Sequence, residues 1–186
     1  MHIGLIVGIG PAATDYYYRY LISAVARAGR DLALTMAHAD TRTLLRNQSE
    51  RNVDAQVDIY SQLTSRLQRS GAERIAVTSI AGHFCIDAFK KISPVPVIDL
   101  LDVVRIEVKR RGFRRIGLLG TRLVMETHFY GVLDGVEVIE VEDSEMMEEF
   151  EDTNMVDSEF ASVPPDQLML VRRELFEIRD LLSTTH

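Results

Sequence analysis

The chain has 186 residues, 46% of them hydrophobic, with a formal net charge of -7 at pH 7. That apolar share supports a real core and excludes a disordered or fibrous chain, while the negative balance argues against a nucleic-acid surface, which needs concentrated Lys and Arg. No apolar run reaches the roughly 20 residues of a membrane span, and the N-terminus lacks the basic flank of a signal peptide, so a cytoplasmic protein without membrane contact is expected. A single Cys cannot form a disulfide within the chain, and with five scattered His it gives no zinc spacing. No metal is expected.

Residues 2–8 form a short apolar run ending in glycine, which reads as a first buried strand. It leads into Gly8-Ile9-Gly10-Pro11-Ala12-Ala13-Thr14 and a helix through about Ala28. Glycines here let the backbone bend sharply and leave amides facing a ligand, at a helix end that favours a carboxylate or phosphate. The pattern stops short of a dinucleotide fingerprint: Ala13 stands at the third glycine position, and no acidic residue closes the second strand. That second strand, Leu32 to Met36, delivers His38 and Asp40 to the same sheet edge.

A helix follows over about 52–69, where Val53, Val57, Tyr60, Leu63 and Leu67 recur at three- and four-residue steps. The next stretch, Ile75 to Cys85, reads as a buried strand breaking into Thr78, Ser79, His83 and Cys85, the densest set of reactive side chains in the sequence. A short helix near 86–92, a proline-marked turn into a fourth strand, a helix to Arg111, a fifth strand over 115–119 and the turn Gly120-Thr121-Arg122 come next. A helix over 125–132, a strand over 136–141 and a last helix from Asp166 to Leu182 complete the pattern. Between Glu137 and Glu159 the sequence carries eleven acidic residues, read as a solvated acidic face.

Strands alternating with helices mean βαβ units and a mainly parallel sheet with right-handed crossovers. Two stretches, GLIVGIGPAAT and GLLGTRLVMET, echo each other as strand, glycine turn and helix.

At these residues the sequence resembles the cofactor-independent aspartate/glutamate racemase superfamily. Gly8 to Thr14 looks like the family's first turn, and Gly117-Leu118-Leu119-Gly120-Thr121-Arg122 with Met125-Glu126 and Phe129-Tyr130 is similar to its second-lobe turn. The resemblance implies an α/β fold of two similar parallel-sheet, Rossmann-like lobes with a cleft between them, here 1–99 and 100–186, with the second lobe shortened at its C-terminus. It also implies an isomerase acting on an aspartate- or glutamate-like amino acid, with no cofactor. In such enzymes one cysteine from each lobe removes and returns the α-proton on opposite faces of the substrate.

This sequence departs from that pattern. Aligned on the histidine, the family's Cys-Asn-Thr-x-His becomes Ser79-Ile80-Ala81-Gly82-His83, and Cys85 falls two residues later, where a helix start and the imidazole are expected to lower its pKa if it is not simply packed. The expected catalytic set is Ser79, His83 and Cys85; the expected substrate-binding set is Gly8, Ile9, Gly10, Pro11, His38, Asp40, Thr121 and Arg122. Three activities compete: a racemase, a one-cysteine decarboxylase or isomerase of the same superfamily, and a non-catalytic protein that binds a small amino or dicarboxylic acid. Apolar surface left by the missing second-lobe elements leads to the expectation of a homodimer.

Overall fold

The computed structural model of the chain describes residues 1–118, 122–133 and 135–140. The fold is α/β and divides into two compact units, Met1–Leu100 and Leu101–His186. In the first, strands β1 (His2–Val7), β2 (Ala33–His38), β3 (Arg74–Val77) and β4 (Val97–Ile98) form one sheet in the order β2-β1-β3-β4, with every pairing parallel. Helices α1 (Pro11–Arg27), α2 (Thr41–Ser49), α3 (Val53–Arg69) and α4 (Ile86–Ile92) lie between the strands, and a 3-10 turn over Ile80–Cys85 precedes α4.

The reason for this architecture is in the side chains. Residues 3–7 of β1 and 75–77 of β3 are buried, as the central strands of a parallel sheet are. Helix α3 turns Gln56, Val57, Tyr60, Leu63, Thr64 and Leu67 inward at helical spacing and packs on β1 and β2. Strand β2 is at the sheet edge and only half-buried, with Ala33, Met36 and His38 exposed.

The strand order fixes where a ligand can enter. From β1 the chain moves to one side to lay down β2, then to the other side for β3, so the loops after β1 and β3 diverge and leave a crevice outside their carboxyl ends.

In the second unit, α5 (Leu100–Arg111) leads to β5 (Arg115–Leu118), then α6 (Arg122–Glu126) and β6 (Glu137–Glu140), with β5 and β6 paired in parallel. Two expectations are corrected here. Helix α2 is absent from the sequence reading; its residues TRTLLRNQS are mostly polar and its length is nine residues, too short for a visible period. The helix expected over 125–132 instead lies at 122–126, because the chain turns left-handed at His128, Phe129 and Tyr130 (φ 46, 58 and 56). The last helix, over 166–182, lies outside the described residues.

Candidate functional site

The crevice between the carboxyl ends of β1 and β3 gathers much of the expected site. After Val7 the chain turns through Gly8 (φ 143) and Gly10 (φ 73), both in conformations open to glycine. Gly8 is also fixed by packing: a Cβ there would stand 2.6 Å from the Ala39 carbonyl oxygen. Ile9 is buried between them.

Gly10 is the N-cap of α1 and Pro11 opens it, with no side chain capping the helix and no acidic residue in the first turn. Proline has no N–H to leave idle at that position, and helix geometry leaves the amides of Ala12 and Ala13 without an intrahelical acceptor. At the facing strand end, the hydroxyls of Thr14 and Thr78 lie 3.0 Å apart, tying the first turn of α1 to the end of β3. Thr78 is buried, and its amide donates to the Ile6 carbonyl at 3.1 Å.

Ser79 follows in extended conformation and starts the 3-10 turn, but its side chain makes no capping bond. It is half-buried, with a hydroxyl that has no partner among the described residues. His83 is 1% exposed, and its Nδ1 lies 2.7 Å from the Ser79 carbonyl oxygen. A carbonyl can only accept, so Nδ1 carries the proton and Nε2 of the neutral ring presents a lone pair. Among the described residues that Nε2 is buried without a partner. Burial pushes the His83 pKa down; the bond to the Ser79 carbonyl and the nearby Asp99 carboxylate pull it back up, and Lys90 opposes them. Asp99, at the end of β4, is itself mostly buried and takes Lys90 of α4 at 2.7 Å.

Cys85 closes the 3-10 turn and is the N-cap of α4. Its thiol is 2% exposed and points at the Gly82 carbonyl, 3.7 Å away. Burial pushes the thiol up to about 12, because a thiolate here would lose water and find no cation. The expectation of a lowered thiol pKa is therefore corrected: the helix after Cys85 does not offset the burial.

The Gly82 carbonyl is held from the other side by a chain that the sequence reading missed. Asn47 donates to Gln56 at 3.1 Å, Gln56 to the Tyr60 oxygen at 2.9 Å, and Tyr60 to the Gly82 carbonyl at 3.2 Å. All three side chains are buried, so α2 and α3 fix the turn that carries Ser79 and His83. Tyr60 sits on the apolar stripe of α3 and reads there as core; only the glycine it approaches betrays its second role.

The expected residues His38 and Asp40 stand at the carboxyl end of β2, beside β1 in the sheet. Asp40 caps α2, accepting from the Thr43 amide at 2.8 Å and the Thr43 hydroxyl at 2.7 Å, and those bonds hold its carboxyl below the usual range. His38 ends β2 and is exposed. Thr121 lies outside the described residues, and Arg122 begins α6. Among the described residues no group of three or more His, Cys, Asp or Glu could hold a metal ion, and no helix is long and apolar enough to cross a membrane.

A family model for Asp/Glu/hydantoin racemases matches residues 6–155, most of the chain. The chain belongs to that family. Among solved structures it is similar to a candidate Asp/Glu racemase from Yersinia pestis, with a TM-score of 0.69 and 24% identity over 97% of this chain and 81% of that one. An aspartate racemase homologue from Pyrococcus horikoshii gives a TM-score of 0.65 and 27% identity over 81% of this chain and 68% of that one. The aspartate racemase of Picrophilus torridus gives 0.65 and 15% over 96% and 74%, a likeness of fold.

Ser79 to His83, the stretch that the resemblance aligns with the family's first cysteine motif, follows the end of β3. As a member of the racemase family, the chain has a hydroxyl where the resemblance implies a thiol. The one thiol of these 186 residues is sealed two positions beyond the histidine.

Proposed function

We propose that this racemase-family chain recognises a small amino or dicarboxylic acid, of aspartate or glutamate size, at the carboxyl edge of the first sheet, and that Cys85 takes no part in proton exchange. The observation that carries this reading is the Ser79 hydroxyl, without a partner among the described residues and next in the chain to Thr78, whose hydroxyl lies 3.0 Å from that of Thr14 in the uncapped first turn of α1. Backbone amides of Gly8, Ile9 and Gly10 and the Ser79 hydroxyl supply donors for a carboxylate, while Pro11, which has no N–H, shapes the turn. His83, neutral and with Nε2 as acceptor, suits an N–H or O–H donor of the ligand once the turn admits it. The roles of His38, Asp40, Thr121 and Arg122 in binding are taken from the resemblance, and the two-lobe cleft, homodimer and cytoplasmic setting belong to the same proposal.

Racemisation by two thiols needs a reactive sulfur on each face of the α-carbon, and Cys85 is both sealed and committed to a carbonyl. The one-cysteine alternative has the same difficulty, since its thiol must touch the reacting carbon.

The test pairs thermal shift with isotope exchange on a panel of L- and D-aspartate, L- and D-glutamate and C4–C5 dicarboxylates. Binding raises the melting temperature in proportion to the logarithm of ligand concentration, and Ser79→Ala lowers that response. In deuterated water the α-carbon of the amino acids acquires no deuterium in a Cys85-dependent way. A flat melting response across the panel overturns the binding reading, and α-deuteration abolished by Cys85→Ala overturns the exclusion of the thiol.

A further inference from the structure

His83 is 1% exposed, and among the described residues its Nε2 has no hydrogen-bond partner. Buried polar atoms in folded proteins are paired as a rule, so this one calls for a group to fill it. The other ring nitrogen settles what kind. Nδ1 lies 2.7 Å from the Ser79 carbonyl oxygen, which can only accept, so the neutral ring keeps its proton there and Nε2 can only accept. Whatever meets Nε2 must donate.

The surroundings also limit the charge of that donor. Burial is the largest influence on the ring and disfavours its cationic form, ahead of the pull of the Asp99 carboxylate, which Lys90 opposes. The same loss of water penalises an ammonium brought against Nε2. Asp99 offers such a cation little, because it already takes Lys90 at 2.7 Å with its own side chain 7% exposed. An uncharged donor escapes the penalty, and a hydroxyl is the smallest one that can reach so enclosed an atom.

The acceptor belongs to the same turn as the Ser79 hydroxyl. Ser79 caps the 3-10 turn that carries His83, and the imidazole is bonded to the carbonyl of Ser79 itself. Gly82, the next residue back, lies against the glycine turn: a Cβ built there would stand 3.6 Å from Ile9 Cδ1. The turn with the acceptor thus packs on the turn whose amides are the proposed carboxylate donors.

We propose that His83 is a specificity-determining residue, its Nε2 accepting from the hydroxyl of a 2-hydroxy dicarboxylic acid of aspartate or glutamate size and so selecting that acid over the matching amino acid and the unsubstituted dicarboxylic acid. This inference rests on the reading of the crevice as a site for small acids. A ligand with carboxylates alone leaves Nε2 unfilled, and one with an ammonium adds a buried cation.

Ligands of one length separate the outcomes: L- and D-2-hydroxysuccinate, L- and D-aspartate, and succinate, titrated into the full chain by calorimetry near neutral pH. One enantiomer of 2-hydroxysuccinate is expected to bind at least about tenfold tighter than aspartate or succinate, since a site built to bond a hydroxyl rejects the analogue lacking it. His83→Phe should bring 2-hydroxysuccinate down to the affinity of succinate, with succinate binding unchanged as the check on the fold. In the unaltered chain with nitrogen-15 histidine, the His83 ring, recognised by its Nδ1–H tautomer, should show an Nε2 signal that 2-hydroxysuccinate shifts and succinate does not. Equal affinity for 2-hydroxysuccinate and succinate, tighter binding of aspartate, or an Nε2 signal unmoved by bound 2-hydroxysuccinate overturns the inference, while Ser79-dependent binding in the same titrations leaves the small-acid reading standing. Absence of binding by every ligand overturns both.

Discussion

Gly82→Ala tests the polar chain that holds the motif turn. A methyl group at residue 82 would stand 2.4 Å from the Tyr60 oxygen, 3.3 Å from Val77 Cγ1 and 3.6 Å from Ile9 Cδ1. Contact with the far end of a flexible side chain is cheaply relieved, but Tyr60 is fully buried, bonded to Gln56 and Gly82, and packed edge-on against Phe89 with ring centres 5.4 Å apart. Overpacking of this kind costs about 1–3 kcal/mol, and displacing the Tyr60 hydroxyl weakens two buried hydrogen bonds at about 1 kcal/mol each. Alanine's better helix propensity returns about 0.5–1 kcal/mol. The net expectation is a loss of about 2–4.5 kcal/mol, which corresponds to a drop of about 4–18 °C in melting temperature for a chain of this size. Urea and thermal unfolding measure it. The double variant with Tyr60→Phe, which removes the clashing oxygen, should lose less than the sum of the two single changes by about 1 kcal/mol or more. A Gly82→Ala protein as stable as the parent, or strictly additive losses, would refute the contact as the cause.

Other perturbations follow from the same geometry. At pH 8 Cys85 should resist alkylation in the folded chain and react only on unfolding, because its thiol is buried and pushed up to about 12; rapid native labelling would contradict its placement. His83 is held neutral in the folded state with its pKa lowered by burial, while the unfolded ring takes a proton near 6.5, so stability is full above that value and declines as pH falls below it; His83→Gln should flatten this part of a pH series of urea midpoints, and an unchanged slope sinks the assignment. Thr78→Val removes the bond to Thr14 and should cost about 1–2 kcal/mol in urea unfolding, whereas no loss would mean that the hydroxyl pair holds nothing together. Lys90→Met leaves the mostly buried Asp99 carboxylate without its 2.7 Å partner and should lower the urea midpoint; an unchanged midpoint would count against the pair as a support.

The fold was legible because its signals are local and strong. Central parallel strands such as β1 and β3 are continuous apolar runs, and α3 carries a clear helical stripe, so both could be read from residue order alone. Helix α2 could not, because what holds it is tertiary: Asp40 caps it, Leu44 is buried, and Asn47 reaches Gln56 on the next helix. The same omission hid the cap role of Asp40, which accepts two bonds from Thr43. For the candidate site, position along the chain located the motif turn at the end of β3, but not the state of its side chains. Whether Cys85 is reactive depends on what surrounds the sulfur, and a sequence shows neighbours along the chain only. Tyr60 makes the same point in reverse, as a residue with the spacing of core and the bonds of a support.

The turn from Ser79 to Cys85 is organised around one carbonyl, that of Gly82. It receives the Tyr60 hydroxyl at the end of a directed chain from Asn47 and Gln56, in which each bond polarises the next, and it also receives the Cys85 thiol. The backbone that holds the turn in place thereby keeps its sulfur protonated and facing inward. Three residues earlier, the Ser79 carbonyl receives Nδ1–H of His83 and so fixes the imidazole in the tautomer that leaves Nε2 as an acceptor. Support and reactivity are therefore divided within seven residues. Cys85 is tied into the scaffold, while the Ser79 hydroxyl, at the position where the family resemblance implies a thiol, keeps its bonding capacity for a ligand. A hydroxyl there can donate to a carboxylate without any change of protonation state near neutral pH, which a thiol poised for proton transfer does not do. On the proposed reading, oxygen in place of sulfur at position 79 suits a site that holds an anion better than one that moves a proton.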